Sequence, residues 1–208
     1  MALCAKASNF LAGDALQGGF CVIDYCEENM VVYDSPEIEW IAGRPVAKVS
    51  PRRRHGLLQS RLLTAIAHAA GSRGDTLPEW RFHLADSPEG RTTFVPDVAF
   101  VSYERLRALS DEEAEEPPFA PDIAVEVRSP FDREKNIIAK AELYLRNGST
   151  LVLDIDPDTP CIHAYATSES TREFKEQLFR PGEAFTHPAI PWLRFDVAPL
   201  FANLNVPR

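Results

Sequence analysis

The chain has 208 residues, of which 45% are hydrophobic and 25% are charged, the composition of an ordinary globular protein. Its formal net charge of −9 argues against a protein that coats nucleic acid by neutralising phosphates, but it does not exclude an enzyme that contacts DNA locally. No apolar run approaches the roughly 18 residues of a membrane span, and the N-terminal residues lack a secretory pattern. The four cysteines form no CxxC pair, so we expect a reduced cytoplasmic chain without a disulfide or zinc framework.

The first half of the chain is predicted to begin with a poorly patterned lead-in and to continue into one domain. Residues 1–35 are assigned to the lead-in, where FCVIDYC and MVVYD fit either short strands or a helix, and residues 36–208 to the domain. IEWIAGRPVAKVS predicts a β-hairpin. From Pro51 to about Ala70, leucine and alanine recur at helical spacing, and Gly71 supplies a stop signal. TLPEWRFHLAD and TTFVPDVAFVS each indicate one strand, with a turn at SPEGR between them.

The second half is predicted to combine several strands with one substantial helix. The acidic segment SDEEAEEPP indicates an exposed loop, and PDIAVEVRSP then indicates a strand over residues 122–128. Asp132 is a candidate N-cap for a helix whose end is marked by Asn147 and Gly148. LVLDID, CIHAYAT and FKEQLFR follow as strands, and PWLRFDVAPLFANL as a closing strand with a short helical turn. Because one helix connects the strands at 122–128 and 151–156, we expect a mixed sheet with helices packed on it.

Charged side chains occupy one face of the strand at 122–128. Asp122, Glu126 and Arg128 share this face because side chains alternate along a strand. Asp122 and Glu126 are four residues apart, so at about 3.3 Å per residue they lie roughly 13 Å apart and cannot share one cation directly. The candidate partner of Glu126 is Asp97, an acid inside the apolar pattern FVPDVAFV.

Burying either acid without a partner is costly, so two explanations of the pair Asp97 and Glu126 stay open. One is a divalent-cation site between them, in which one of the two acids has a raised pKa when no metal is bound. The other is that Asp97 and Asp122 are strand-end residues that pair with nearby bases.

Two groups of basic residues accompany the acids. Lys140 borders the inward face of its predicted helix, so it either extends into solvent or reaches Glu126 over the end of the sheet. Arg52, Arg53 and Arg54 precede the first predicted helix. They either hold phosphates, a role that positions nucleic acid without reading its sequence, or form a solvated helix start.

An aspartate in one strand followed by Glu-x-basic in the next resembles the PD-(D/E)XK nuclease signature. Within that superfamily the chain resembles the Uma family of restriction-type endonucleases from about Ile38 to Phe201. The resemblance is carried by an ordered series of motifs: IEWIAGRPV, SPRRRHGLLQSRLL, FVPDVAFVSYERL, PDIAVEVRSP, KAELYLRNG, the Asp156-Pro157 strand end, FRPGEAF and PWLRFDVAPLF. It implies an α/β fold with a restriction-endonuclease-like core, in which a mixed β-sheet is flanked by helices and accompanied by additional β-hairpins.

The resemblance also implies roles for individual residues. Asp97 and Glu126 correspond to ligands of Mg²⁺, for which Mn²⁺ can substitute, and Lys140 corresponds to a motif lysine that has moved to the helix. Supporting positions of the family are matched by Asp122, Glu39 and His55. The chain departs from the family pattern at Ala42, Arg44, Arg128, Val152 and Leu153. These departures leave open whether the site is intact, although Arg128 restores a base at the lysine position of the motif.

The resulting hypothesis is a Mg²⁺-dependent endonuclease that hydrolyses phosphodiester bonds of DNA. The expected catalytic residues are Asp97, Glu126, Lys140 and Arg128. The expected phosphate contacts are Arg52, Arg53 and Arg54. Two other classes of protein stay open: a catalytically degenerate nuclease fold that serves as a binding or assembly module, and a small-substrate hydrolase that uses two carboxylates as acid and base. Whether the chain works as a homodimer also stays open.

Overall fold

The computed structural model describes residues 38–41, 44–47, 52–87, 90–130, 132–168 and 174–205, all of which belong to the unit Ser35–Arg208. The predicted lead-in at residues 1–35, with FCVIDYC and MVVYD, lies outside the described residues. The strands are β1 (Ile38–Ile41), β2 (Arg44–Ala47), β3 (Gly74–Pro78), β4 (Phe82–Ser87), β5 (Gly90–Phe94), β6 (Val98–Ser102), β7 (Ile123–Val127), β8 (Leu151–Asp156), β9 (Cys161–Thr167), β10 (Phe174–Phe179), β11 (Ala184–His187) and β12 (Ile190–Asp196). The helices are α1 (Arg53–Ala70), α2 (Tyr103–Leu106), α3 (Asp111–Glu115), α4 (Glu134–Arg146) and α5 (Ala198–Phe201).

Six strands form the central sheet in the order β10-β9-β8-β7-β6-β3. The strands β7 and β8 are parallel, whereas the other neighbours are antiparallel. The helix α4 connects the parallel pair, because parallel neighbours need a crossover and cannot be joined by a tight turn. The predicted mixed sheet with one crossover helix is therefore confirmed.

A second sheet contains four strands in the order β2-β1-β5-β4. The hairpin β1–β2 is the one that IEWIAGRPVAKVS predicts. The strands β11 and β12 form a separate antiparallel hairpin, and β12 with α5 confirms the predicted closing strand and helical turn. The strand β11 was not predicted.

The segments TLPEWRFHLAD and TTFVPDVAFVS, each predicted as one strand, are each two strands in different sheets. The first passes from β3 to β4, and it is interrupted at Glu79, whose φ of 51° is in the left-handed region. The second passes from β5 to β6, and it is interrupted around Pro96, which has no N–H for a neighbouring strand. Both single-strand predictions are wrong for these backbone reasons. The second break places Asp97 immediately before β6.

The helix α1 confirms the helix predicted from leucine and alanine spacing. Gly71 follows it with a φ of 57°, a conformation that glycine adopts without the steric cost of a Cβ atom. The acidic segment, predicted as a loop, instead contains α3. Its first turn is closed by a capping box, in which the Ser110 hydroxyl accepts from the Glu113 amide and the Glu113 carboxylate accepts from the Ser110 amide. The loop prediction is wrong over these residues because the capping box stabilises a helical turn, and α2 was not predicted.

The helix α4 has Arg133 as its N-cap, so the prediction that Asp132 caps it is wrong. The Asp132 carboxylate instead accepts a hydrogen bond from the Ser129 amide at 2.6 Å, which closes the turn that precedes the helix. Asn147 and Gly148 end the helix as predicted. In the described part of the chain, no helix has the length and apolar character that crossing a membrane requires.

The two faces of β7 meet different surroundings. Ile123, Val125 and Val127 belong to a buried cluster that also contains the apolar face of α1. Full burial of such a side chain contributes about 1.5–3 kcal/mol relative to exposure. The opposite face carries Ala124, which belongs to a second buried cluster with residues of α4 and of the second sheet. It also carries Glu126, whose side chain is largely buried at 23% exposure. One face of β7 is thus apolar, and the other face is polar at its C-terminal end.

Candidate active site

A cavity of about 570 Å³ lies at the end of β7, and residues of β1, α1, α4, β8 and the loop that contains Asp97 line it as well. Six of the predicted site residues line it: Glu39, His55, Asp97, Glu126, Arg128 and Lys140. These six are three acids, two cations and one imidazole, and the lining of the cavity also includes Asp132, Glu142, Asp154 and Arg146. Their side chains come from segments that are distant in sequence, and the fold alone brings them together.

Asp97 and Glu126 lie on the same face of the central sheet. Val98 is opposite Val125 in the antiparallel pair β6–β7, so continuing this register by one residue sets Asp97 opposite Glu126. Directly opposite residues have Cβ atoms about 4.5–5.5 Å apart and point to the same side. The Asp97 carboxylate is held in place, because its Oδ2 accepts from the Val127 amide at 2.7 Å. The same oxygen lies 3.1 Å from Nε2 of His55.

The two oxygens of the Glu126 carboxylate have different surroundings. Oε1 accepts from the Tyr144 hydroxyl at 2.7 Å and lies 2.9 Å from Nζ of Lys140. No described residue donates a hydrogen bond to Oε2, and this oxygen is not among the buried, unpaired polar atoms. We infer that Oε2 is open to the cavity that Glu126 lines.

The pKa of Glu126 is raised to about 7. Burial is the largest cause, and the carboxylates of Glu39 and Asp97 raise the pKa further, while Lys140 and the Tyr144 hydroxyl oppose the shift. The direction of this shift agrees with the prediction that one acid of the pair has a raised pKa without a metal, but burial contributes more to it than the repulsion from Asp97. Burial, followed by the nearby Glu126 carboxylate, also raises the pKa of Tyr144, so its hydroxyl keeps the proton that it donates.

Lys140 does not extend into solvent. Its ammonium donates to both oxygens of Glu39, at 3.1 and 2.9 Å, and contacts Glu126 at 2.9 Å. Burial lowers the pKa of Lys140, but Glu126 and Glu39 together raise it by more, so the net shift is upward and the group stays charged. Glu39 is fixed in turn by the Val95 amide at 2.8 Å, so the second sheet contributes to the site.

Arg128 is paired with an acid that the sequence analysis missed. Its Nε lies 3.0 and 2.8 Å from the two carboxylate oxygens of Asp154, and its Nη2 lies 2.6 Å from one of them. Nη1 reaches Asp156 at a longer 3.4 Å. The hydrogen bonds with Asp154 raise the pKa of Arg128, which outweighs the opposing effect of burial, while burial raises the pKa of Asp154. The available signal was an acid inside the apolar strand LVLDID, the same signal that identified Asp97.

The remaining predicted site residues do not line the cavity. Asp122 lies at the other end of β7, where it accepts from the Ser102 amide at 2.7 Å and from Arg105 at 2.9 Å. Arg52 is exposed at the start of α1.

The two other arginines of the basic run are bonded to the chain itself. Arg53 donates to the Leu204 carbonyl at 2.8 Å, and Arg54 pairs with Asp158 at 2.8 Å and with the Pro157 carbonyl. Their guanidinium groups anchor the start of α1 to the C-terminal segment and to the turn after β8.

The donor set suits a cation that keeps much of its water shell. Within the described ranges, no group of three or more His, Cys, Asp or Glu side chains is arranged to hold a metal ion. The carboxylates of Asp97 and Glu126 line the same cavity, however, and no described residue donates a hydrogen bond to Oε2 of Glu126. Magnesium is commonly held by one or two carboxylates together with water and substrate phosphates, so the pair of Asp97 and Glu126 fits Mg²⁺ better than a metal that needs a full protein cage.

A mixed sheet with a crossover helix, with acids at the ends of adjacent strands and a lysine on that helix, defines a protein of the restriction-endonuclease-like fold class. The chain belongs to the Uma2 family, whose description is "Putative restriction endonuclease" and whose model matches residues 24–198. The structure is similar to a crystal structure of a protein from Anabaena variabilis, titled a "putative nuclease belonging to DUF820". The TM-score is 0.68 at 22% sequence identity, with 82% of this chain and 92% of that chain covered. No curated protein matches the chain.

Proposed function

We propose that the protein is a Mg²⁺-dependent endonuclease that hydrolyses phosphodiester bonds of DNA. The observation that carries this proposal is the convergence of the Asp97 and Glu126 carboxylates with the Lys140 ammonium in one cavity. Membership of a family described as "Putative restriction endonuclease" supports it. So do the neighbouring carboxylates of Glu39 and Asp97, which add to the effect of burial in raising the pKa of Glu126, because nearby negative charge favours a cation.

Asp97 and Glu126 are the residues that would hold the cation. Asp97 is oriented by the Val127 amide, and Glu126 by Tyr144 and Lys140, so both are positioned before a ligand binds. When bound there, Mg²⁺ supplies polarisation of a phosphoryl oxygen and lowers the pKa of an attacking water.

Lys140 acts through its charge in this proposal. Because its pKa is raised, it stays an ammonium at neutral pH and does not accept a proton from water. It offsets the negative charge that develops on the phosphoryl group, and it would orient the water by exchanging one of its three donor contacts with Glu39 and Glu126 for that water. Overall, the water oxygen bonds to phosphorus, the bond to one sugar oxygen breaks, and one water proton ends on that leaving oxygen.

Arg128 is proposed to hold a phosphate rather than to take part in proton transfer. Asp154 occupies the edge of the guanidinium formed by Nε and Nη2. The edge formed by Nη1 and Nη2 retains N–H donors, since a guanidinium has five and the contact with Asp156 is long at 3.4 Å. A planar group held on one edge is preorganised to bind a phosphate with another.

Plasmid nicking in Mg²⁺ or Mn²⁺ tests the proposal. We expect the parent protein to nick the plasmid, Lys140→Ala to abolish nicking, and Arg128→Ala to weaken it less. Lys135→Ala is the matched control, because Lys135 is exposed on the same helix and does not line the cavity. If Lys140→Ala cuts like the parent while Arg128→Ala does not, the essential cation is Arg128 and the assignment to Lys140 is wrong.

A second candidate is a nuclease fold that binds a partner without cutting DNA. Two observations favour it: the Lys140 ammonium is already bridged between two glutamates, and Arg53 and Arg54 are bonded within the chain. Titration with Mn²⁺ separates the two functions, because an intact carboxylate pair binds the ion and a degenerate one does not. A protein that neither binds Mn²⁺ nor cuts DNA belongs to the second class.

A further inference from the structure

Tyr144 is a buried residue that was not predicted as part of the site, although it forms a hydrogen bond with Glu126. It follows Lys140 by four residues on α4, so both side chains project from the same face of the helix. Its ring is fully buried and stacks on Phe94 of β5, with ring centroids 4.2 Å apart and an angle of 29° between the planes. Full burial and this stacking leave the phenol little freedom, so its hydroxyl is aimed in one direction.

That direction is toward the Glu126 carboxylate. The hydroxyl donates to Oε1 at 2.7 Å, and the Lys140 ammonium contacts the same oxygen at 2.9 Å. Two donors on one oxygen fix the rotation of the carboxylate about its last bond, and they leave Oε2 to the cavity. A carboxylate that is free to rotate would have to be ordered when a cation binds, at an entropic cost.

We propose that Tyr144 is a positioning residue that, together with Lys140, presents Oε2 of Glu126 to a divalent cation. This inference rests on the proposed function and deepens it, because it assigns a partner to a metal ligand. Such partners orient the ligand and raise its affinity, and their loss typically weakens metal binding by about 10- to 100-fold. The alternative is that Tyr144 only fills the core, as Tyr165 does in the same buried cluster.

The two alternatives are separated by a Mn²⁺ titration of three proteins: the parent, Tyr144→Phe and Tyr165→Phe. Tyr144→Phe keeps the ring and its stacking on Phe94 and removes only the hydroxyl. Tyr165→Phe is the matched control, because Tyr165 is equally buried at 2% exposure, stacks on Phe174 and does not line the cavity. Free Mn²⁺ is measured by electron paramagnetic resonance, and heat of binding by calorimetry, so neither readout depends on cleavage.

We expect Tyr144→Phe to bind Mn²⁺ about 10- to 100-fold more weakly than the parent, and Tyr165→Phe to bind like the parent. Binding by Tyr144→Phe within about threefold of the parent overturns the inference and leaves the proposed function standing. Equal weakening in both variants also overturns it, because it reports general loosening of the core. A parent protein that does not bind Mn²⁺ overturns the inference and the proposed metal dependence together.

A second variant covers the case in which Tyr144→Phe does not fold, which thermal unfolding reveals before the titration. Phe94→Leu keeps the tyrosine hydroxyl and removes the ring that aims it. We expect this variant to bind Mn²⁺ several-fold more weakly than the parent. Binding of Mn²⁺ at the affinity of the parent contradicts the inference.

Discussion

Removing the Lys140 ammonium should leave the protein folded but substantially less stable. In the structure this group contacts Glu39 and Glu126, whose side chains are 7% and 23% exposed, and Asp97 lines the same cavity. Lys140→Ala therefore leaves carboxylates that are largely buried without their cation. Truncating one partner of a buried ion pair costs about 3–5 kcal/mol.

The lower end of that range applies here. Glu126 keeps its hydrogen bond from Tyr144, and Glu39 keeps the one from the Val95 amide, so neither carboxylate loses all its donors. Lys140 itself is 22% exposed, which weakens its interactions through solvent. We expect the free energy of unfolding to fall by about 3 kcal/mol, which is less than the about 5–15 kcal/mol of a typical domain.

Urea unfolding without metal at about pH 8, above the Glu126 pKa of about 7 in the parent, measures this difference as a shift in midpoint at constant slope. Lys135→Ala, on the same helix and exposed, corrects for the change to alanine. Adding Glu39→Gln to Lys140→Ala should recover part of the loss, because it removes one of the uncompensated charges. If the free energies of unfolding of Lys140→Ala and Lys135→Ala differ by less than about 0.5 kcal/mol, the Lys140 ammonium does not stabilise the two glutamates and the prediction is wrong.

Three further predictions concern a charge, a basic run and two glycines. Without metal, Glu126→Gln should raise the free energy of unfolding at about pH 8 by up to roughly 3 kcal/mol, because each pKa unit is worth about 1.4 kcal/mol. The pKa of Glu126 in the folded protein, about 7, lies above its ordinary value of 4.5, so the parent loses stability as the pH rises from about 4.5 to 7. Urea unfolding at about pH 5 should therefore show little difference between Glu126→Gln and the parent. Arg52→Ala should weaken DNA binding and reduce its salt dependence by about one ion without changing stability, which binding isotherms at several salt concentrations measure. Arg53→Ala should lower the free energy of unfolding by about 1 kcal/mol, which urea unfolding measures. Gly74→Ala should destabilise the fold by at least about 1–3 kcal/mol, because a Cβ atom there would lie 2.0 Å from a carbonyl oxygen of the facing strand. At Gly56 an added Cβ atom would meet nothing within 4 Å outside the local backbone of the helix, so Gly56→Ala should stabilise α1 by about 0.5–1 kcal/mol. Urea unfolding of both glycine variants measures the two changes.

Much of the fold was predictable because its signals are local. The alternation in IAVEV, the helical spacing that precedes Gly71 and the stop at Asn147 and Gly148 each depend on a few neighbouring residues. The crossover between β7 and β8 follows from the order of those elements. The acids Asp97 and Glu126 could be identified for a related reason: burial of a charge in an apolar strand is costly, so an acid that persists there needs a partner or a ligand.

Only the tertiary structure decided which side chains meet. Lys140 bonds Glu39 across 101 positions of the chain, and Arg128 pairs with Asp154 across 26. No local pattern distinguishes an arginine that pairs with an aspartate from one that binds a phosphate. Nor does any local pattern show which group the Tyr144 hydroxyl bonds, because in the sequence Tyr144 is only one residue of an apolar helix face. The two strand breaks were missed because Glu79 and Pro96 interrupt patterns that otherwise read continuously. The sequence by itself determined which residues are costly to bury. The partner that offsets each cost depends on distances between segments, and those distances are set only when the two sheets and α4 pack together.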